Sequence, residues 1–170
     1  MSRNYNRNYN SRGSDKYTDV YTDGSCLGNG QAGARGGYGN YWGPDHPNNV
    51  SEPVRGRATN NMGEIQGATR AINDAGRMGV EKLRINTDSE FLRKSVNDWM
   101  PKWKQNDYRK ADGNPVVNRD DFQNLDRAMR NNPQMDVTFR HVPAHSGNPG
   151  NEAADRLAKQ GAQRYGGGYY

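Results

Sequence analysis

The segment TNNMGEIQGATRAINDAGRMGVEKLRINT, residues 59–87, holds a helix and, directly after it, a strand. Met62, Ile65, Ala68, Ile72 and Ala75 recur at intervals of three and four, the spacing of one helical face, so a helix is expected over 61–78. Gly79 stops it, and 83–87 reads as a short strand. Upstream, residues 17–22 mix Tyr17, Val20 and Tyr21 with polar neighbours and read as a strand closing at Asp23-Gly24, a common turn dipeptide. A glycine-rich stretch leads to a second strand around 37–42, and a third is expected over 50–58. Downstream come a helix over 88–96 and a short helix around Trp99 and Trp103, which Pro101 should strain. Phe122, Leu125 and Met129 mark a helix within 116–130, and a strand over 135–142 and a closing helix over 152–162 complete the series. Three strands in a row, then strands alternating with helices, predict an α/β fold with a five-stranded mixed sheet flanked by helices.

Composition limits what such a fold can contain. Leu, Ile, Val and Phe supply only 20 of 170 residues; with a high net charge that would indicate disorder, but the net charge is a modest +5. All 20 fall within 17–163, so one domain is expected there. A disordered Asn/Arg/Tyr-rich tail is expected at 1–16 and a flexible Gly/Tyr-rich tail at 164–170. The core must lean on Ala, Met, Tyr and Trp. No run approaches the roughly eighteen apolar residues of a membrane span, so no membrane partner is expected. The single cysteine, Cys26, excludes a disulfide framework and a multi-cysteine zinc site and fits a reducing compartment. An intracellular monomer is expected, in cytoplasm or nucleus sooner than in mitochondria, because the basic tail lacks an amphipathic face. Charge is uneven: the tails carry +3 and +1, and KWKQNDYRK at 102–110 carries +3, which leaves the rest of the domain at −2. An acidic body with a basic protrusion suggests separate places for metal and for phosphate.

Four acids stand at element junctions: Asp23 at the end of the first strand, Glu64 opening the first helix, Asp88 after the fourth strand, and Asp155 in the first turn of the last helix. Each has a purely structural use. Asp23 can sit in a turn, Asn61-x-x-Glu64 has capping-box spacing, Asp88 can cap its helix, and Asp155 can sit near a positive helix end. Jointly they point elsewhere. Strand ends and helix starts of one α/β sheet converge on one edge, and carboxylates meeting there repel unless divalent cations neutralise them. Oxygen-only donors favour Mg²⁺ or Mn²⁺ over zinc, and two such ions about 4 Å apart suit phosphodiester cleavage.

The flanking residues then carry a family resemblance. YTDGSCLGN at 21–29, TNNMGEI at 59–65, NTDS at 86–89 and HVPAHSGNPGNEAADRLA at 141–158 resemble, in order, the motif set of type 1 ribonuclease H. NDWMPKWKQN at 97–106 resembles the basic protrusion of the cellular branch. The resemblance implies a ribonuclease H-like fold and an endonuclease that hydrolyses the RNA strand of RNA/DNA hybrids. It implies two Mg²⁺ ions, with Mn²⁺ able to substitute, and products with 5′-phosphate and 3′-hydroxyl ends. Asp23, Glu64, Asp88 and Asp155 would be the metal-binding, catalytic acids, and His145 would assist proton transfer or product departure. Arg57, Thr59 and Asn118 would hold a phosphate of the DNA strand. Cys26, Asn29, Asn60 and Asn61 would line the RNA minor groove, where the 2′-hydroxyl distinguishes RNA from DNA. Trp99 and Trp103 would lie against DNA sugars, or else share a buried face, and Lys102, Lys104, Arg109 and Lys110 would contribute binding more than chemistry.

The family pattern is broken at Pro101, at Asp107-Tyr108 where Gly-Trp is usual, at Ala144 where Gly is common, and at Gly63 where Ala is usual. None of these removes an acid. Two other readings stay open: a non-catalytic hybrid- or RNA-binding module that uses the tail, and a metal-dependent DNA nuclease of the same fold.

Overall fold

A computed structural model describes residues 16–166. The tail expected at 1–16, apart from Lys16, and residues 167–170 lie outside the described residues. One mixed sheet contains β1 (Thr18–Leu27), β2 (Arg35–Tyr41), β3 (Val50–Pro53), β4 (Lys82–Thr87) and β5 (Asp136–His141), in the order β3-β2-β1-β4-β5. β1, β2 and β3 pair antiparallel, whereas β4 runs parallel to both β1 and β5. The helices are α1 (Asn60–Met78), α2 (Glu90–Lys94), α3 (Met100–Gln105), α4 (Arg119–Arg130) and α5 (Pro149–Gln163).

The two faces of the sheet are filled differently. On one, Val20, Leu83 and Ile85 meet Ile65, Ala68 and Ile72 of α1, Phe122 and Leu125 of α4, and Leu92 and Met100 from the α2–α3 run. On the other, α5 rests almost directly on β2. A Cβ at Gly39 would fall 2.5 Å from Leu157 Cβ and 2.6 Å from Ala154 O, and one at Gly37 would fall 2.6 Å from Ala158 O. α1 makes a similar approach to β1, since a Cβ at Gly24 would fall 2.6 Å from Glu64 N. A Cβ at Gly63 would fall 2.6 Å from Gly37 O, so even an alanine side chain has no room there. The scarcity of large aliphatic residues therefore has a geometric cause: helices meet the sheet backbone to backbone.

Several boundaries differ from the sequence expectation. β1 does not close at Asp23-Gly24. It runs through to Leu27 because β2 pairs with it over that length, from Asp23↔Gly39 to Leu27↔Arg35, and the ladder outweighs a local turn preference. The turn comes later, where Gly28, Gly30 and Gly33 take positive φ. β3 ends at Pro53, short of 58. Trp99 and Trp103 do not occupy a separate strained helix. α2 continues through a π-helical turn, Ser95–Trp99, into α3. In that wide turn Met100 N donates to Ser95 O, and Pro101 falls in the first turn of α3, where no N–H is required. α5 starts at Pro149, capped by Asn148, whose side chain accepts from Asn151 N at 3.0 Å. Beyond α5, Arg164 hydrogen-bonds Ser51 O and Tyr165 Oη donates to Gly56 O at 2.6 Å, so the segment expected to be flexible from 164 has two anchored residues at its start. Among the described residues, no helix is long and apolar enough to cross a membrane.

Candidate active site

Each of the four acids is relieved of its local structural use. Asp23 lies inside β1, and the parallel register Tyr21↔Asn86, carried two residues on, sets it beside Asp88 just past β4. Asp88 does not cap α2. Ser89 does, its Oγ accepting from Leu92 N at 3.0 Å. Glu64 closes no capping box, because Thr59 is the cap of α1 and accepts from Met62 N at 3.1 Å. Glu64 sits one turn further in and joins Asp23 and Asp88: carboxylate oxygens of the three lie within 4.8 Å of one another. Asp155 is in the second turn of α5, not the first. Gly39, on which α5 rests, is the ladder partner of Asp23, so Asp155 reaches hydrogen-bonding range of Asp23 while pairing with Lys159 at 3.0 Å. All four acids and His145 line one cleft of about 280 Å³.

The two acids at the centre of the cleft are almost wholly buried. Asp23 is 5 % exposed and Glu64 6 %. Burial, then the charges of Asp88 and Asp155, push the Asp23 carboxyl up to about 8. Burial, then Asp23 and Asp88, push Glu64 well above the usual carboxylate range. Burial also raises Asp88, opposed by a hydrogen bond from Asn151 and by the nearby His145. Glu64 Oε1 is buried and has no hydrogen-bond partner among the described residues. A buried carboxylate oxygen without a donor, facing two further carboxylates, fits a hard divalent cation.

The sign of the pH dependence follows. A carboxyl raised in the folded state holds a proton that the unfolded chain has already lost, so stability without metal is full in acid and falls as pH rises through the folded value. For Asp23 the window runs from its ordinary 3.8 to about 8. The melting temperature of metal-free protein is expected to fall between about pH 4 and about pH 8, and a saturating divalent cation such as Mg²⁺ should remove most of the fall. Thermal denaturation across pH with and without the ion measures both; a flat metal-free profile would contradict the proton-loaded site.

The remaining expected residues divide. Arg57, Thr59, Asn118, Asn29, Asn60 and Asn61 line a second groove, of about 1000 Å³. Asn60 and Asn61 border cleft and groove alike. Asn29 Oδ1 accepts from Asn60 N at 3.2 Å, tying the β1–β2 loop to α1. Cys26, half-buried near the end of β1, lines neither. Trp103 is half-buried and packs against the core, 5.0 Å from Phe122 and 6.3 Å from Tyr108, centroid to centroid, whereas Trp99 is 37 % exposed. The two rings also pack on each other, 6.0 Å between centroids, so of the pair Trp99 is the one with an accessible face. Tyr108 is buried behind Asp107, both at positive φ, and burial followed by the charge of Asp126 pushes its phenol up to about 12. In the protrusion Lys104 pairs with Asp126 at 3.4 Å, Lys110 with Asp112 at 4.0 Å, and Arg109 donates to Gly113 O at 3.0 Å. Lys102 is exposed. His145 holds φ +54 in the loop before α5.

Sequence reasoning missed Asn151. It is 3 % exposed, it lines the cleft, and its amide donates to Asp88 while its Oδ1 has no partner among the described residues. The only trace is the spacing Asn148-x-x-Asn151, which reads as ordinary helix-start chemistry.

A mixed sheet of order β3-β2-β1-β4-β5 with acids on β1 and just past β4, met by helices from both faces, defines an RNase H-like domain. Comparison with known proteins agrees. The RNase H family model matches residues 15–163. Ribonuclease H1 of Rattus norvegicus is 45% identical over 141 residues, covering 83% of this chain and 48% of the relative. Two solved structures superpose well. LC9-RNase H1, a type 1 RNase H with the type 2 active-site motif, gives a TM-score of 0.68 at 28% identity over 87% of this chain and 72% of that one. The foamy viral protease-reverse transcriptase in complex with RNA/DNA hybrid gives 0.72 at 25% identity over 86% and 20%. This chain belongs to the RNase H family, in its type 1 branch. It spans about half the length of the rat relative.

Proposed function

We propose that this chain is an endoribonuclease that hydrolyses the RNA strand of RNA/DNA hybrids, leaving 5′-phosphate and 3′-hydroxyl ends, with two Mg²⁺ ions or Mn²⁺ in their place. The observation that carries the reading is the meeting of Asp23, Glu64 and Asp88 within 4.8 Å. Asp155 adds a fourth carboxylate from α5. When bound, the divalent ions supply Lewis acidity toward the scissile phosphate and its attacking and leaving oxygens.

The chain's own residues do the rest. Asp23 and Glu64 give up their protons as cations enter, so the site becomes fully anionic only when it is loaded. His145 stands in the cleft within electrostatic reach of Asp88, placed to pass a proton to the departing 3′-oxygen or to speed product release. Arg57, Thr59 and Asn118 hold a DNA-strand phosphate in the groove, and Asn60 and Asn61, between groove and cleft, face the RNA minor groove. Trp99 and Lys102 present the protrusion's outer surface to the DNA strand. The likeness to a foamy viral protease-reverse transcriptase described in complex with RNA/DNA hybrid supports this substrate.

Matched RNA/DNA, RNA/RNA and DNA/DNA duplexes incubated with Mg²⁺ test the proposal. Cleavage confined to the RNA strand of the hybrid, with 5′-phosphate products, is expected. Equal cutting of the DNA duplex, or tight hybrid binding with no cleavage, would overturn it.

A further inference from the structure

The groove that takes Arg57 is walled in part by a residue from the far end of the chain. Tyr165, two residues past α5, lines it together with Arg57, Thr59 and Asn118. Its hydroxyl donates to Gly56 O at 2.6 Å, a bond between residues 109 apart in sequence. Gly56 directly precedes Arg57 and holds φ +81, in the left-handed region that glycine adopts without steric cost.

The rest of the β3–α1 connection is held on either side of this point. Val54 N donates to Gly36 O at 3.0 Å, and the Gln66 side chain clasps Arg55, accepting from its N–H at 2.9 Å and donating to its carbonyl at 2.8 Å. At the other end Thr59 caps α1. Between these anchors, Tyr165 takes the carbonyl before Arg57. Its own base is firm: Arg35 donates to Gln163 O at 2.7 Å, and Ser51, which Arg164 also contacts, donates to Leu157 O at 2.6 Å.

We propose that Tyr165 is a positioning residue for the phosphate subsite: by pinning the Gly56 carbonyl it aims the Arg57 guanidinium at a nucleic-acid phosphate beside Thr59 and Asn118. The inference rests on the hybrid-cleaving function proposed above. The groove shares only Asn60 and Asn61 with the acidic cleft, so the effect falls on substrate binding and not on chemistry.

Tyr165→Phe removes the hydroxyl and keeps the ring. KM for an RNA/DNA hybrid, and the hybrid dissociation constant measured by fluorescence anisotropy, should each rise about fivefold, as for loss of one hydrogen bond. The turnover number should stay at the wild-type value, and the melting temperature should fall by no more than about 2–4 °C, the cost of one hydrogen bond. In an Arg57→Ala background the same substitution should add nothing, because its effect passes through that guanidinium. An unchanged KM and dissociation constant would overturn the inference, as would an undiminished rise in the Arg57→Ala background or a joint fall of turnover and melting temperature. Wild-type protein that neither binds nor cuts the hybrid would instead remove the functional reading itself, and this inference with it.

Discussion

Asp23→Asn is expected to slow hybrid cleavage by about 10³-fold or more, roughly 4 kcal/mol of lost transition-state stabilisation, because an amide cannot balance the charge of a divalent ion. Hybrid binding should survive, since Asp23 lies in the acidic cleft and outside the groove that holds Arg57, Thr59 and Asn118. The same substitution should raise the melting temperature of the metal-free protein near neutral pH. Asp23 is buried among acids and keeps its proton up to about pH 8, so near neutral pH folding has to supply the free energy of protonating it, a cost the neutral amide does not carry. Single-turnover cleavage, hybrid binding and thermal denaturation without metal read the three effects separately. Undiminished cleavage would remove Asp23 from the site, and an unaltered melting temperature would show that the cluster is not under electrostatic strain.

Gly39→Ala should lower stability by about 3 kcal/mol, or roughly 6–12 °C in melting temperature, for the addition of a single methyl group. That methyl would sit 2.6 Å from both Ala154 O and Ala158 N, backbone atoms of α5 that no side-chain rotation can move aside. The helix must lift. Because α5 carries Asp155 and rests on the ladder partner of Asp23, lifting it also draws the fourth carboxylate away from the other three. Cleavage at a temperature where the variant is still folded should therefore fall as well. A variant with wild-type melting temperature would refute the close approach, and one that is destabilised but fully active would uncouple α5 from the site.

These two positions also show what can and cannot be read from the chain alone. Asp23, Glu64, Asp88 and Asp155 are legible because each stands inside a distinctive motif, and the face of α1 is legible from the spacing of Ile65, Ala68, Ile72 and Ala75. The structural alternatives for the acids are not separable by sequence, because each has a competitor next to it. Asp88 and Ser89 are both good caps for α2, as Thr59 and Asn61 are for α1, and only the extended backbone of Ser89 and Thr59 decides between them. The length of β1 is hidden because the turn preference of Asp23-Gly24 is local while the ladder to β2 is not. Pro101 reads as a helix fault, since a single wide π-helical turn leaves no periodic signature. Asn151 and Tyr165 act on partners set by the fold, Asp88 and Gly56, and neither pairing has a spacing rule behind it. The seat of α5 shows in sequence only as glycine at 37 and 39, where a central strand usually carries branched side chains.

That seat has a thermal consequence. Where α5 meets β2, unfolding brings peptide groups into water along with glycine and alanine carbons, and few large aliphatic side chains. Newly hydrated apolar surface raises heat capacity and newly hydrated peptide surface lowers it. The domain's heat-capacity increment is accordingly expected to be small for its length, with a free energy of unfolding that curves gently with temperature, which scanning calorimetry measures. The closure of α5 over the acids is held by contacts whose strength changes little between cold and moderate warmth.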